Sequence, residues 1–464
     1  MKPGIIFMPH ANLQYSQLPP QRRGWVARET YGRIFDLAEM LDIRLAFEAS
    51  GETLEIMASE APETLEKLIA GVNAGRIEPV ASPQTHIMIP NVGRELGLNS
   101  LLDGLDTWER FTGVRPVTGW NPECGWTHYV PDIFREAGFE ILIADADSYL
   151  LSTVKGLREA TGLRFDVRGH SNKNALFRIE DEIAGHPEIL QALFKPNHLE
   201  NGLKVILRSD MLCNIILWYL MGATEGNRQT PVAIEEVKEL LVRWQGRMPD
   251  KGFLMPYAED AEYIGTTAYF FVKQYGLARF FEPAPESAER FEEVLQLALN
   301  LGFEFILPRE TPDRYGVVET RGFGQVESGC AWHGGTARAW ANTAYSRILD
   351  PVCRTIYEGL QAVASEAGLN DLRGNATSKC ILQSITTAYV SDSRWPPAPT
   401  SPGRFNVEEA LNALEQANES MSRLMAECGL ADQKALYSPE LMATQIAAVR
   451  DELMSLNYFG EDKE

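Results

Sequence analysis

Gly119-Trp120-Asn121-Pro122-Glu123-Cys124-Gly125-Trp126 sets one carboxylate between two indoles at the end of a predicted strand. The run 114–120 reads as that strand, Pro122 stiffens the loop, and 129–137 reads as the following helix. Glu123 therefore falls at a strand's C-terminal end, which in a β/α barrel is the reactive face. Sugar rings present C–H faces that stack on aromatic side chains, and cleaving a glycosidic bond needs a carboxylate against the anomeric carbon. The other reading is a structural Trp-rich loop carrying an incidental glutamate.

Outward from this stretch, strand-like and helix-like segments alternate. Strands are predicted at 4–10, 43–49, 76–82, 141–145, 204–207, 252–257 and 303–307, with helices at 25–41, 53–74, 101–111 and 288–301. Seven or eight strands separated by helices over some 310 residues predict a parallel α/β barrel rather than an open three-layer sheet. His10, Glu78, His86, Glu123, Asp145, Asp210, Asp260 and Glu262 mostly lie at or just past strand ends, where a barrel gathers them around one mouth. The sequence has no Gly-rich phosphate loop of the dinucleotide or Walker type. Residues 157–201 read as an insertion with a Gly/Asn-rich loop over the mouth.

Beyond Thr336 the pattern changes to helices, at 336–348, 351–367, 375–390, 407–428 and 442–456, which predicts a second, helical domain. Ser391-Asp392-Ser393-Arg394-Trp395-Pro396-Pro397, running on to Gly403, is a Pro-rich loop able to fold back toward the barrel. It brings Asp392 into consideration as a site residue.

Composition bounds the partners. The 464 residues carry 43 Lys and Arg against 64 Asp and Glu, a formal net charge of −21. That balance argues against a nucleic-acid partner, whose phosphates are bound by clustered basic residues, and favours a neutral ligand. No apolar run reaches the length of a membrane span, and the first residues lack the basic and apolar regions of a secretory signal, so a cytoplasmic location is expected. The six cysteines are scattered, with no CxxC pair, and are expected to be mostly buried thiols.

With these residues in place, the chain resembles glycoside hydrolase family 57 over most of its length, through five spaced segments. Pro9-His10-Ala11-Asn12 is similar to the opening His motif, departing from it after His10. Gly75-Arg76-Ile77-Glu78 with Thr85-His86 resembles the second motif, whose Glu faces the site. Trp120-Asn121-Pro122-Glu123-Cys124-Gly125 is close to the third, and Glu259-Asp260-Ala261-Glu262-Tyr263-Ile264-Gly265 is similar to the fourth, with Ile264 where an aromatic is usual. Ser328-Gly329-Cys330-Ala331-Trp332-His333-Gly334 resembles the helical domain's contribution to the cleft.

The resemblance implies an incomplete (β/α)7 TIM-like barrel over residues 1–328 and a C-terminal helical domain over 329–464. It implies retaining hydrolysis or transglycosylation of α-glucans, with Glu123 as nucleophile and Asp260 as general acid/base. His10, Asn12, Glu78, His86, Trp120, Trp126, Asp210, Glu262, Trp332, His333 and Asp392 are the candidate substrate contacts. No cofactor and no metal are expected, because two carboxylates supply the chemistry and the histidines lack zinc spacing. Around Asp210 the chain reads Arg208-Ser209-Asp210-Met211-Leu212-Cys213-Asn214, with polar differences from the family at Ser209, Cys213 and Asn214. Those differences favour the alternative reading, a non-catalytic glycan-binding or regulatory homologue.

Overall fold

The protein, seen as a computed structural model, is described over residues 2–15, 18–165, 175–222, 229–267, 281–319, 322–394 and 405–455. Its strands are β1 (Gly4–Phe7), β2 (His10–Ala11), β3 (Leu45–Ala49), β4 (Ile77–Ala81), β5 (Thr118–Trp120), β6 (Ile141–Asp145), β7 (Asn197–His198), β8 (Lys204–Arg208) and β9 (Phe253–Tyr257), with β10 (Gly265–Thr266), β11 (Pro283–Ala284), β12 (Glu304–Phe305), β13 (Val318–Glu319), β14 (Cys330–Ala331) and β15 (Gly335–Thr336) following among the described residues. A parallel run β8-β6-β5-β4-β3-β2 is extended at one edge by the antiparallel β7, while β1 pairs in parallel with β9 and β12. A parallel bridge from His10 to Asp260 joins the two sets just past β9.

Both faces of this mostly parallel sheet are buried, which is why its strands read as near-continuous apolar runs. Ile5, Phe47, Leu142, Val205 and Leu254 pack with the surrounding helices in one large cluster. Ile6, Ala46, Val80, Ile143, Ile206 and Met255, one residue out of phase, meet in a separate cluster. Strands so far apart in the order can share one cluster only because the sheet curls on itself. At the strands' N-terminal end this cluster is closed by Ile306 and Tyr315, the latter lying against Phe253.

Helix boundaries follow capping and proline chemistry that periodicity alone does not give. The segment predicted as one helix at 53–74 is two, Gly51–Glu60 and Pro62–Asn73. Ser50 caps the first by accepting from the Thr53 amide, and Pro62 starts the second at a position where its missing N–H costs nothing. The predicted helix at 101–111 extends to Arg94–Thr112 and ends on left-handed Gly113. A Cβ at Gly119 would lie 2.6 Å from the Phe134 ring, so glycine lets β5 press against helix Val130–Ala137.

The segment 157–201, predicted as a loop-bearing insertion, carries helices at Leu157–Thr161, Phe177–Ile183 and Pro187–Phe194 and then the short strand β7. Its Gly169-to-Asn174 stretch lies outside the described residues. Helices Ala344–Ala367, Ala376–Ala388, Phe405–Glu427 and Pro439–Ser455 then build a second core, which Ile87 and Leu96 of the earlier part join. Pro351 was expected to separate two helices but lies inside the first of these. Burial of Leu349, Val352, Cys353 and Ile356 on one face offsets the roughly 3 kcal/mol an internal proline costs. All six cysteines are free thiols, four of them buried. Among the described residues no helix is long and apolar enough to cross a membrane.

Candidate active site

After three strand residues the chain turns at Asn121-Pro122-Glu123-Cys124, and both Glu123 (φ 59°) and Cys124 (φ 49°) adopt left-handed backbone. For residues with a Cβ this costs about 1 to 2 kcal/mol each, so the surroundings must over-determine it. They do so through Cys124 N–H to the Asn121 carbonyl at 2.8 Å, Gly125 N–H to that of Pro122 at 3.1 Å, and the Asn121 side-chain amide donating to the Gly125 carbonyl. The result is a carboxylate thrust from the C-terminal end of β5.

That carboxylate meets a residue from the far end of the chain. Ser391, just past helix Ala376–Ala388, donates its hydroxyl to Glu123 Oε1 at 3.0 Å. The same hydroxyl lies 2.9 Å from His86 Nδ1, which is 3.9 Å from Glu123 Oε1, and the Ser391 amide donates to the His86 carbonyl at 2.8 Å. Because the serine proton goes to Glu123, Nδ1 of His86 carries the hydrogen in this contact. Burial first, then the neighbouring His10, holds His86 well below the usual histidine range, so it is neutral. Glu123 is pushed up to about 8 by burial and by Asp392, against the Ser391 bond and His10.

His10 faces this group from β2, with ring centroids 5.0 Å from His86 and 5.7 Å from Trp120. Its Nδ1 contacts Glu48 and its Nε2 lies 4.0 Å from Asp260 Oδ1. Burial alone would lower His10, but Glu48 overcomes it, with help from Asp260 and Glu262, and the imidazole is carried up to about 10. Tyr15 donates to the other oxygen of Asp260. Asn12 links two carboxylates, its amide N–H donating to Glu262 at 2.8 Å and its side chain to Asp392 at 2.8 Å. Glu262, which also accepts from Tyr31, is raised to about 8 by burial and Asp260.

Of the predicted site residues, the structure thus brings together Glu123, Asp260, His10, Asn12, His86, Glu262 and Asp392. Glu78 lies elsewhere: it stands at the N-terminal end of β4, accepting from Thr118 and from the Arg309 amide at 3.0 Å. Asp210 is wholly buried, 2.7 Å from Arg208, whose guanidinium also meets Glu259 at 3.0 Å and Asp145 at 3.5 Å. Trp332 packs edge-on to Trp120 at 6.3 Å and covers Arg208 at 5.6 Å. The side chain of His333 lies outside the described residues.

The two indoles expected to stack on a sugar are core residues. Trp120 is fully buried beneath His10, and Trp126 packs on Phe323, 5.8 Å away, its amide N–H held by the Cys330 carbonyl at 2.8 Å. Trp126→Ala is accordingly expected to cost about 3 to 5 kcal/mol of stability and to leave oligosaccharide affinity unchanged. Thermal unfolding together with calorimetric titration checks this, and weaker binding at an unaltered melting temperature would return Trp126 to the cleft.

Residues that sequence reasoning missed are Glu48, Tyr15 and Ser391. Glu48 had a signal, a lone carboxylate inside the buried run Leu45-Ala-Phe-Glu-Ala49. Ser391 had only its place beside Asp392. Among the described residues two groups have donor atoms close enough for a metal, His86 with Glu123 and Asp392, and Asp145 with Asp147 and Asp210. In the second group Arg208 already neutralises two of the three carboxylates.

The family model for glycosyl hydrolase family 57 matches residues 25–311, more than half of the chain. No curated protein matches. Among solved structures, the branching enzyme of the archaeon Pyrococcus horikoshii aligns with a TM-score of 0.60 at 15% identity, covering 100% of this chain and 98% of its own. The α-amylase AmyC of Thermotoga maritima aligns at 0.58 and 12% identity, covering 97% of each chain. The 4-α-glucanotransferase of Thermococcus litoralis aligns at 0.56 and 15% identity, covering 91% of this chain and 60% of its own. At such identities the likeness bears on the fold.

Proposed function

The chain belongs to glycosyl hydrolase family 57, and from that premise we propose that it is a retaining α-glucan-active enzyme in which Glu123 is the nucleophile and Asp260 the general acid/base. The observation that carries this reading is the placement of the two carboxylates, each against one member of the His86–His10 pair. The same reading takes the curled sheet as an incomplete (β/α)7 barrel over residues 1–328, and the helices beyond 329 as a domain that lends Ser391 and Asp392 to the cleft.

In the first step a Glu123 oxygen attacks the anomeric carbon while the bond to the glycosidic oxygen breaks, and Asp260 passes its proton to that oxygen. In the second, Asp260 takes a proton from water or from an acceptor hydroxyl. The conjugate oxygen attacks the same carbon and releases Glu123. Neutral His86 keeps Nε2 without a partner among the described residues, as an acceptor for a sugar hydroxyl. Asp392 and Asn12, already joined, are placed to hold further hydroxyls.

Ser209, where the sequence departs from its family, caps helix Asp210–Met221 through the Met211 amide and meets Asp147 at 3.2 Å. Buried Cys213 feels the charges of Glu259, Arg208 and Asp210. Both lie in the Arg208 surroundings rather than among the groups around Glu123. This supports catalysis over the non-catalytic reading.

Maltoheptaose incubated with the protein, followed by proton NMR of the anomeric signals, tests the proposal. Products are expected to form first as the α-anomer, at a rate unchanged by a strong chelator. First-formed β-anomer would make the enzyme inverting. Activity lost to the chelator and restored by zinc would favour a metal on His86, Glu123 and Asp392. Binding without turnover would establish the glycan-binding alternative.

A further inference from the structure

His10 is clamped from both sides. Its amide donates to the Glu259 carbonyl at 2.9 Å, and on the other side the Glu48 amide donates to the Pro9 carbonyl at 3.1 Å. In the parallel ladder His10 stands directly opposite Glu48. The side chains repeat this register, so that Nδ1 engages one Glu48 oxygen and Nε2 is left facing Asp260.

Both partners are shut off from solvent, Glu48 at 0% and His10 at 1% exposure. The second Glu48 oxygen has no hydrogen-bond partner among the described residues. A buried carboxylate engaged at one oxygen is an expensive way to fill a strand position that a valine would fill better, so packing does not explain Glu48.

We propose that Glu48 is a positioning residue, which keeps His10 doubly protonated and fixed between Asp260 and the His86–Glu123 pair, so that the positive charge of the cleft is set from β3. The proposal rests on the reading of Glu123 and Asp260 given above. Groups from every neighbouring element face His10: Glu48 on β3, Asp260 and Glu262 after β9, His86 after β4 and Glu123 after β5. Burial favours the neutral imidazole, and Glu48 supplies the largest opposing influence. Without Glu48 the proton is lost, and both Glu123 and Asp260 lose a neighbouring cation that favours their ionised forms.

The test compares Glu48→Gln, which preserves size and one acceptor oxygen, with wild type and with Glu48→Asp. In protein carrying nitrogen-15 histidine, His10 is identified among the seven histidines by the signals missing from His10→Asn. Wild type is expected to show both ring nitrogens protonated at pH 7, and Glu48→Gln one. In the dependence of kcat/KM on pH with a maltooligosaccharide, both limbs should move upward by about one pH unit in Glu48→Gln. This is about a tenfold loss on the acid side and little loss on the alkaline side. Glu48→Asp should restore most of the original profile.

A neutral His10 in wild type at pH 7 would overturn the proposal, as would a loss in Glu48→Gln by one factor at every pH. The histidine spectra are read without turnover, so the state of His10 is decided even if the glucan reading fails. An active Glu123→Gln would defeat that reading alone. An inactive Glu123→Gln beside an unmoved Glu48→Gln profile would defeat this proposal alone.

Discussion

Glu123→Gln is expected to lower kcat on any α-glucan the wild type processes by about a thousandfold or more, the loss that follows when a nucleophile is removed. The amide keeps the volume of the side chain and an oxygen that can accept from Ser391, so the turn and the His86 contact survive. Sugar binding should therefore persist. Stability should not fall either, for a reason specific to this site. Glu123 is raised to about 8 in the folded chain, so its ionisation works against folding increasingly as pH rises from the ordinary carboxylate range through 8. A neutral glutamine removes that penalty, and the melting temperature at pH 8 should equal or exceed that of wild type. Azide should restore turnover to Glu123→Gly by taking the nucleophile's place. Residual activity above about a hundredth of wild type would remove Glu123 from the role.

The second large effect separates Asp260 from Asp210. Asp260→Asn should reduce turnover of maltooligosaccharides by several orders of magnitude while sparing activated aryl glycosides, whose departing oxygen needs little protonation. Its fold should persist, since the amide oxygen can still accept from Tyr15. Asp210→Asn should behave oppositely. It removes one partner of the wholly buried Arg208 pair at 2.7 Å, and breaking such a pair costs about 3 to 5 kcal/mol. A lower melting temperature with intact leaving-group dependence is therefore expected for Asp210→Asn. Exchange of the two patterns would move the acid to Asp210.

What the sequence displayed follows from how a two-sided buried sheet is built. Leu45–Ala49 and Ile141–Asp145 were legible because both faces of a parallel strand must be apolar, and such runs end in visible turns. His10, Glu123 and Asp260, which follow the strands Gly4–Phe7, Thr118–Trp120 and Phe253–Tyr257, were legible for the same reason. Glu78 was misplaced because alternation says which face a residue takes and leaves open which end of the strand lies at the mouth. Trp120 and Trp126 were misread because an indole suits a core as well as a sugar. Ser391 was illegible in its role: 268 residues separate it from Glu123, and only the docking of the helices brings them together. Arg208 was visible at the end of the strand Lys204–Arg208, but the carboxylates it pairs with, Asp145 and Glu259, lie on other strands' ends and only the fold brings them to it.

The left-handed pair at Glu123 and Cys124 has a consequence for how variation at this turn is tolerated. A glycine at 124 would adopt the observed backbone without strain and would, by that measure alone, make a sturdier chain. It would also give the turn other shapes to visit, and the carboxylate before it would spend less time aimed at its target. On the proposed reading, resilience of the fold and readiness of Glu123 as nucleophile pull in opposite directions at this residue, and a cysteine there serves the second.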